Sequence, residues 1–82
     1  MMIEKQCIGA HNIDNCTISY YLIKKCDTYG VEIVEERNKR ILCESEFISQ
    51  VQETAKSFTR KIYENCVTAI TLNEVVDDYF SM

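Results

Sequence analysis

The chain contains no proline and no tryptophan, and its only glycines are Gly9 and Gly30. Phosphate-binding loops of nucleotide sites are built from clustered glycines that let the backbone approach the ligand, so a loop of this kind is not expected. Apolar runs are also short: none approaches the roughly 20 residues that a membrane span requires, and residues 1–15 lack the apolar stretch of a signal peptide. The sequence therefore predicts a soluble, cytoplasmic protein that does not enter a membrane.

The cysteines are odd in number and unevenly spaced, with no Cys-x-x-Cys pair among them. This arrangement fits neither a secreted disulfide framework nor a structural zinc site, since both need regularly paired sulfurs. We interpret the thiols as reduced, and most of them as small, partly buried apolar side chains. A redox-sensitive thiol, a metal ligand or an intermolecular disulfide stays open as an alternative. The residues concerned are Cys7, Cys16, Cys26, Cys43 and Cys66.

The charge balance is acidic, with 9 Lys and Arg against 13 Asp and Glu and a net charge of −4. Nonspecific nucleic-acid binding depends on clustered cations that displace counterions, so an acidic chain is a poor match for it. With 46% hydrophobic and 27% charged residues in 82 positions, the composition is that of one folded domain.

Three segments have the alternation and the β-branched or aromatic content of strands. Residues 16–23 place Ile18, Tyr20 and Leu22 on one face, and residues 31–36 and 41–48 follow after the polar connections 24–30 and 37–40. Strands joined by connections this short are antiparallel neighbours, because a parallel crossover needs a dozen residues or more. The sequence predicts a three-stranded antiparallel meander.

Two segments with helical spacing follow the strands. The Ser49 to Gln52 segment has the form of a capping box and predicts a long helix that ends near Asn65, with Ala55, Phe58 and Ile62 on its apolar face. A second capping box, from Thr71 to Glu74, predicts a short terminal helix over residues 72–80. The fold predicted is α+β, with the long helix packed on the meander.

The domain organisation follows from these elements. Residues 16–82 are predicted to form a single α+β domain, and residues 1–15 either add an edge strand or stay loose. No repeat or linker interrupts the chain.

Residues able to perform chemistry are few. His11 is the only histidine, and with Cys7 it forms a Cys-x-x-x-His pair that lacks a third, orienting group. Glu44 and Glu46 share a strand face and could bridge a cation, but solvated carboxylates have the same pattern. We therefore predict no catalytic, cofactor-binding or metal-binding residue, and no enzyme activity.

Two surface patches are the candidate binding sites. The terminal helix ends with two acidic and two aromatic residues, Asp77, Asp78, Tyr79 and Phe80. The aromatic pair is more apolar than a chain end requires. These four residues are predicted to bind a protein partner or a second copy of the chain. Lys56, Arg60 and Lys61 on the long helix are the candidate nucleic-acid contacts.

The chain resembles a family of short Firmicute, mainly clostridial, proteins that is known only as a domain of unknown function. The resemblance covers about residues 18–80. It is carried by the segments 20–23, 29–34 and 67–80, which include Tyr-Gly-Val-Glu-Ile-Val and Thr-Leu-Asn-Glu-Val-Val-Asp-Asp-Tyr-Phe. The resemblance implies a hairpin-containing domain followed by a helix and a short acidic and aromatic terminal helix, and it implies no activity.

The function expected from these observations is that of a noncatalytic interaction or regulatory module that binds a protein. The alternative is a small nucleic-acid-associated regulator, such as one carried by a mobile element.

Overall fold

The computed structural model describes residues 3–80, which form a four-stranded antiparallel sheet and two helices. The strands follow chain order across the sheet, so the predicted α+β fold with an antiparallel sheet is confirmed. The elements are β1 (Glu4–Ile13), β2 (Cys16–Lys25), β3 (Thr28–Arg37), β4 (Arg40–Ser49), α1 (Gln52–Glu64) and α2 (Leu72–Phe80). Residues 1–2 of the predicted N-terminal segment and residues 81–82 of the predicted domain lie outside the described residues.

The predicted number of strands was wrong, because the sheet has four strands and not three. The additional strand is β1, which lies at one edge and pairs with β2 along most of its length. The predicted contrast between one long and one short helix was also wrong, since α1 has 13 residues and α2 has 9. Strand β1 is held by backbone pairing and carries mostly exposed side chains, which explains its weak hydrophobic pattern.

The connections between strands are tight turns of two residues, shorter than the predicted ones. In the turn between β3 and β4, Asn38 and Lys39 both have positive φ, at 50° and 67°. This is the geometry of a type I′ turn, whose twist matches that of paired strands. Each strand therefore continues to the turn and reaches ten residues.

The hydrophobic core lies between the sheet and the two helices, which pack on the same face. Ile18 and Tyr20 of β2 are at most 5% exposed, as predicted for the apolar face of the first predicted strand, and Ile33 of β3 is fully buried beside them. Helix α1 contributes Phe58 and Ile62, and α2 contributes Leu72. The full buried cluster is Cys16, Ile18, Tyr20, Val31, Ile33, Phe58, Ile62, Ala69 and Leu72.

Helix α1 begins later than the predicted capping box places it. Its N-cap is Val51, without a side-chain hydrogen bond to the cap, and Ser49 is still the last residue of β4. The hydroxyl of Ser49 instead accepts a hydrogen bond from the N–H of Val51 at 2.9 Å. Because strand pairing extends to Ser49, this residue is not available as the helix cap.

A polar and aromatic cluster fastens β1 and β2 to the end of α1. The ring of His11 stacks on Tyr63 with 4.5 Å between centroids, and its Nε2 lies 2.6 Å from the Tyr63 carbonyl oxygen. The hydroxyl of Tyr20 donates to the carbonyl of Val67 at 2.7 Å. Burial raises the pKa of Tyr20 to about 12, so this phenol stays a hydrogen-bond donor at neutral pH. Within residues 3–80, neither helix has the length and apolar character needed to cross a bilayer.

Candidate functional site

Strand β4 forms the edge of the sheet opposite β1, and one side of its backbone faces away from β3. In a two-residue hairpin the residues that flank the turn form a hydrogen-bonded pair, and here these residues are Arg37 and Arg40. The backbone groups of Arg40 and of every second residue after it therefore point to β3. Those of Ile41, Cys43 and Ser45 point outward. This strand offers a row of backbone donors and acceptors at the sheet edge.

The side chains of β4 are unusually apolar for an edge strand. Ile41 is 68% exposed, Leu42 40% and Phe47 41%. Natural edge strands are commonly shortened, charged or bulged, because an open edge pairs with other chains. Residues 40–46 of β4 pair with β3 without a register shift. The combination of a regular edge and exposed apolar side chains is typical of a strand that receives a partner.

Two of the exposed apolar residues of β4, Ile41 and Phe47, lie on the side of the sheet away from the helices, whereas Leu42 lies on the helix-covered face. Glu44 pairs with the buried Ile33 and therefore shares the helix-covered face, as does Glu46. Ile41 and Phe47 alternate with these carboxylates and point to the open face. The sequence places Ile41, Cys43 and Phe47 on one face, and the structure shows that this face has no helix over it within residues 3–80.

A groove of about 690 Å³ lies beside the turn end of β4 on the helix-covered face. Leu42 and Ile70 are its apolar residues, and Ile70 is 77% exposed. Arg37 and Arg40 add positive charge to the same groove. Glu35 of β3 holds the connection between the helices beside this groove, because its Oε1 accepts a hydrogen bond from the Ala69 N–H at 2.7 Å. The groove therefore joins the exposed side chain of Leu42 to that of Ile70 in the connection between the helices.

The residues predicted to bind a partner at the terminal helix divide into two groups. Asp77 and Asp78 are exposed, and Tyr79 is 45% exposed. Phe80 is partly buried against the core, and its ring centroid lies 5.3 Å from that of Phe58. The structure therefore places three of the four residues at the surface and uses Phe80 mainly for packing.

The cations predicted to contact nucleic acid lie together on the outer side of α1. Lys56, Arg60 and Lys61 line one shallow depression, but Glu53 and Glu64 line it with them. The Lys61 ammonium also lies 5.1 Å from the centre of the Tyr79 ring, in cation–π geometry. The interleaved carboxylates lower the positive potential that a phosphate backbone would meet.

The Cys7 and His11 pair considered in the sequence is separated in the structure. Cys7 pairs with Tyr21 and His11 with Ile18, and these two partners lie on opposite faces of β2. A register shift between Cys7 and Gly9 causes this separation. The two side chains therefore cannot act on one substrate. Within residues 3–80 no three His, Cys, Asp or Glu side chains come together as a set of metal ligands.

A polar cluster lies at the centre of the open sheet face. The Lys5 ammonium is 2.6 Å from Oε1 of Glu32, and this ion pair satisfies an oxygen that is otherwise buried. The Cys43 thiol donates to Oε2 of the same carboxylate at 3.2 Å. Burial raises the pKa of Cys43, and the hydrogen bond to Glu32 raises it further. The neighbouring carboxylate also raises the pKa of Lys5, chiefly through the same contact.

Because its pKa is raised, the Cys43 thiol is expected to react more slowly with iodoacetamide at pH 8 than free cysteine does. The thiolate is the reactive form, and a raised pKa leaves less of it at a given pH. Replacing the carboxylate in Glu32→Gln is expected to accelerate alkylation. The rate is measured by mass spectrometry on the tryptic peptide that contains Cys43. Alkylation as fast as that of free cysteine, unchanged by Glu32→Gln, would contradict the assignment.

The β4 edge was not identified as a site from the sequence. Its pattern identifies a strand, but an edge strand and a central strand of a small sheet have the same alternation. The available signal was the pair of adjacent apolar residues Ile41 and Leu42, which cannot share one face.

Of three comparisons with known proteins, the one with family models gives a match. The family model described as "Family of unknown function (DUF6514)" matches residues 1–82. No curated protein and no solved structure matches the chain. Because the family model covers the whole sequence, the chain belongs to the DUF6514 family of unknown function.

Proposed function

We propose that the protein is a noncatalytic interaction module that binds another protein along the edge strand β4. The observation that carries this proposal is the exposure of Ile41, Leu42 and Phe47 on an edge strand whose residues 40–46 pair with β3 without a register shift. A peptide segment added to such an edge gains main-chain hydrogen bonds, and the exposed side chains supply specificity.

The chemistry of the reactive side chains supports a binding role over catalysis. A nucleophilic cysteine needs a lowered pKa, whereas the pKa of Cys43 is raised by burial and by Glu32. His11 has one ring nitrogen at the Tyr63 carbonyl and its ring stacked on Tyr63. These contacts suit structural roles.

The terminal residues Asp77, Asp78, Tyr79 and Phe80 remain a second proposed partner surface. The exposure of the two carboxylates and of Tyr79 supports it. The packing of Phe80 on Phe58 means that Phe80→Ala would alter the core as well as the surface. Asp77→Lys with Asp78→Lys is therefore the cleaner variant of this patch.

The nucleic-acid-associated regulator stays an alternative prediction, with Lys56, Arg60 and Lys61 as its contacts. The carboxylates of Glu53 and Glu64 lie beside these cations and reduce their positive potential. Nucleic-acid binding is therefore less favoured than protein binding. A cytoplasmic location and a Firmicute, mainly clostridial, origin likewise stay predictions.

The proposed function is tested with the variant Cys43→Pro. The Cys43 N–H points away from β3, so proline removes an outward donor without breaking the sheet, which tolerates proline at an edge. Cys43→Ala is the matched control, because it also loses the thiol contact to Glu32 and keeps the N–H. Tagged protein is crosslinked in lysate of the source cell and its partners are identified by mass spectrometry.

We expect a partner to be retained by Cys43→Ala and by Asp77→Lys with Asp78→Lys, and lost with Cys43→Pro. Circular dichroism must show the same folded state for all variants. Partners that bind Cys43→Pro as well as the parent protein would overturn the assignment to β4, and loss only with the aspartate variant would move the site to α2.

A further inference from the structure

We propose that the protein bound along β4 is a second copy of this chain, which pairs with it antiparallel to form one continuous sheet. This inference rests on the proposed function of the β4 edge. A second copy fits this edge because the outward row of β4 is complementary to itself in backbone pattern and charge.

The backbone pattern restricts the alignments that two copies can adopt. Outward backbone groups belong to Ile41, Cys43 and Ser45, so these residues must face one another across the new interface. Alignments that place an outward residue opposite an inward one form no ladder. The remaining alignments keep the open faces of both copies on the same side of the joined sheet.

Charge selects one of these alignments. When Cys43 faces Cys43 of the second copy, Arg40 faces Glu46 on both sides of the two-fold axis, and Leu42 faces Glu44. These are non-hydrogen-bonded positions, where side chains of antiparallel strands approach most closely. If the two strands slide so that the overlap grows by one pair at each end, Glu44 faces Glu44 of the second copy, and the two carboxylates repel each other. A shift the other way shortens the ladder.

The side chains of this alignment are available in the single copy. Arg40 is exposed and Glu46 half-buried, and within residues 3–80 neither forms an ion pair. The opposite edge is less suitable, because the register shift of β1 interrupts that strand between Cys7 and Gly9, whereas the register shift of β4 lies beyond Phe47, at the end of the strand. Pairing over residues 40–46 would add about six backbone hydrogen bonds and leave no open β4 edge.

The alignment is tested by charge reversal and sedimentation equilibrium. In Arg40→Glu each of the two pairs between positions 40 and 46 would bring two glutamates together, and in Glu46→Arg each pair would bring two arginines together. We expect either variant to raise the dimer dissociation constant by about tenfold or more. An equimolar mixture of the two variants is expected to form a heterodimer of near-parental affinity, because every pair is then opposite in charge. Arg60→Glu, on the outer face of α1, is the control for net charge.

Each result decides the inference. A concentration-dependent dimer that the single variants weaken and the mixture restores would support it. A dimer insensitive to both single variants, or a mixture that stays monomeric, would overturn the alignment. A parental protein that is monomeric up to millimolar concentration would overturn self-pairing. In that case a different protein lost with Cys43→Pro would still support the proposed function, whereas partners unaffected by that variant would reject both.

Discussion

Replacing Gly30 by alanine is expected to destabilise the domain by about 3 kcal/mol, as overpacking at a site that cannot relax does. A Cβ atom at Gly30 would lie 2.8 Å from the Cα of Phe47 and would also meet the carbonyl oxygen of Glu46. Both are backbone atoms of β4, so the strand itself would have to move. The register shift beside Gly30 would be disturbed, and β4 would loosen from β3 at that end.

The matched control for this prediction is Gly9→Ala. A Cβ atom there would lie 2.5 Å from Cε1 and 2.6 Å from Cζ of the Tyr63 ring. A half-buried ring can shift where a strand cannot, so the loss is expected to be smaller, on the order of 1 kcal/mol. Urea denaturation followed by circular dichroism measures both. Equal losses for the two variants would show that the close approach of β4 to Gly30 is not the cause.

Truncating Phe58 to alanine is expected to cost about 3 to 5 kcal/mol, the usual range for a large buried aromatic side chain. Phe58 is 1% exposed, and its ring lies 5.0 Å from Tyr79 and 5.3 Å from Phe80 between centroids. It therefore links α1 to α2 as well as to the sheet. An 82-residue domain has a total stability of about 4 to 12 kcal/mol, so a large fraction of this variant should be unfolded or lack a docked α2.

The control for Phe58→Ala is Val51→Ala, because Val51 is 56% exposed at the start of α1. Its loss should stay within about 0.5 kcal/mol. Thermal denaturation and the near-ultraviolet circular dichroism of the aromatic cluster report the difference. A loss below about 1 kcal/mol for Phe58→Ala would contradict its central position in the core.

Much of the fold could be predicted from local pattern. The alternation of Ile18, Tyr20 and Leu22 and the helical spacing of Ala55, Phe58 and Ile62 each reflect burial on one face, and both sets are buried as expected. The sequence does not decide whether residues 1–15 form a strand, because the side chains of β1 are mostly exposed. Its stability comes from backbone pairing, which leaves little trace in hydrophobic pattern.

The predicted start of α1 was also wrong because backbone pairing between strands leaves little trace in the local sequence. The sequence from Ser49 satisfies the spacing of a capping box, but the hydrogen bonds that extend β4 to Ser49 are long-range contacts with β3. A local sequence motif carries no information about long-range hydrogen bonds that take its residues into a strand.

The candidate site was predicted less well than the fold. Tyr79 and the two aspartates are exposed as a surface patch would be, but Phe80 packs on Phe58. Only the strand order shows that β4 is an edge. Within residues 3–80, no strand pairs with the segment from Ile41 to Phe47 on the side away from β3. Alternation determines which residues share a face. It does not determine which face the helices cover.

Hydrogen exchange measured by NMR shows whether the outward backbone of β4 is a binding edge. In dilute protein the amides of Ile41, Cys43 and Ser45 are expected to exchange rapidly, while those of Leu42 and Glu44, bonded to β3, are protected. At high protein concentration, or with the captured partner added, the three outward amides should become protected by about tenfold or more. Outward amides that exchange at the same rate under both conditions, while binding occurs, would contradict the claim.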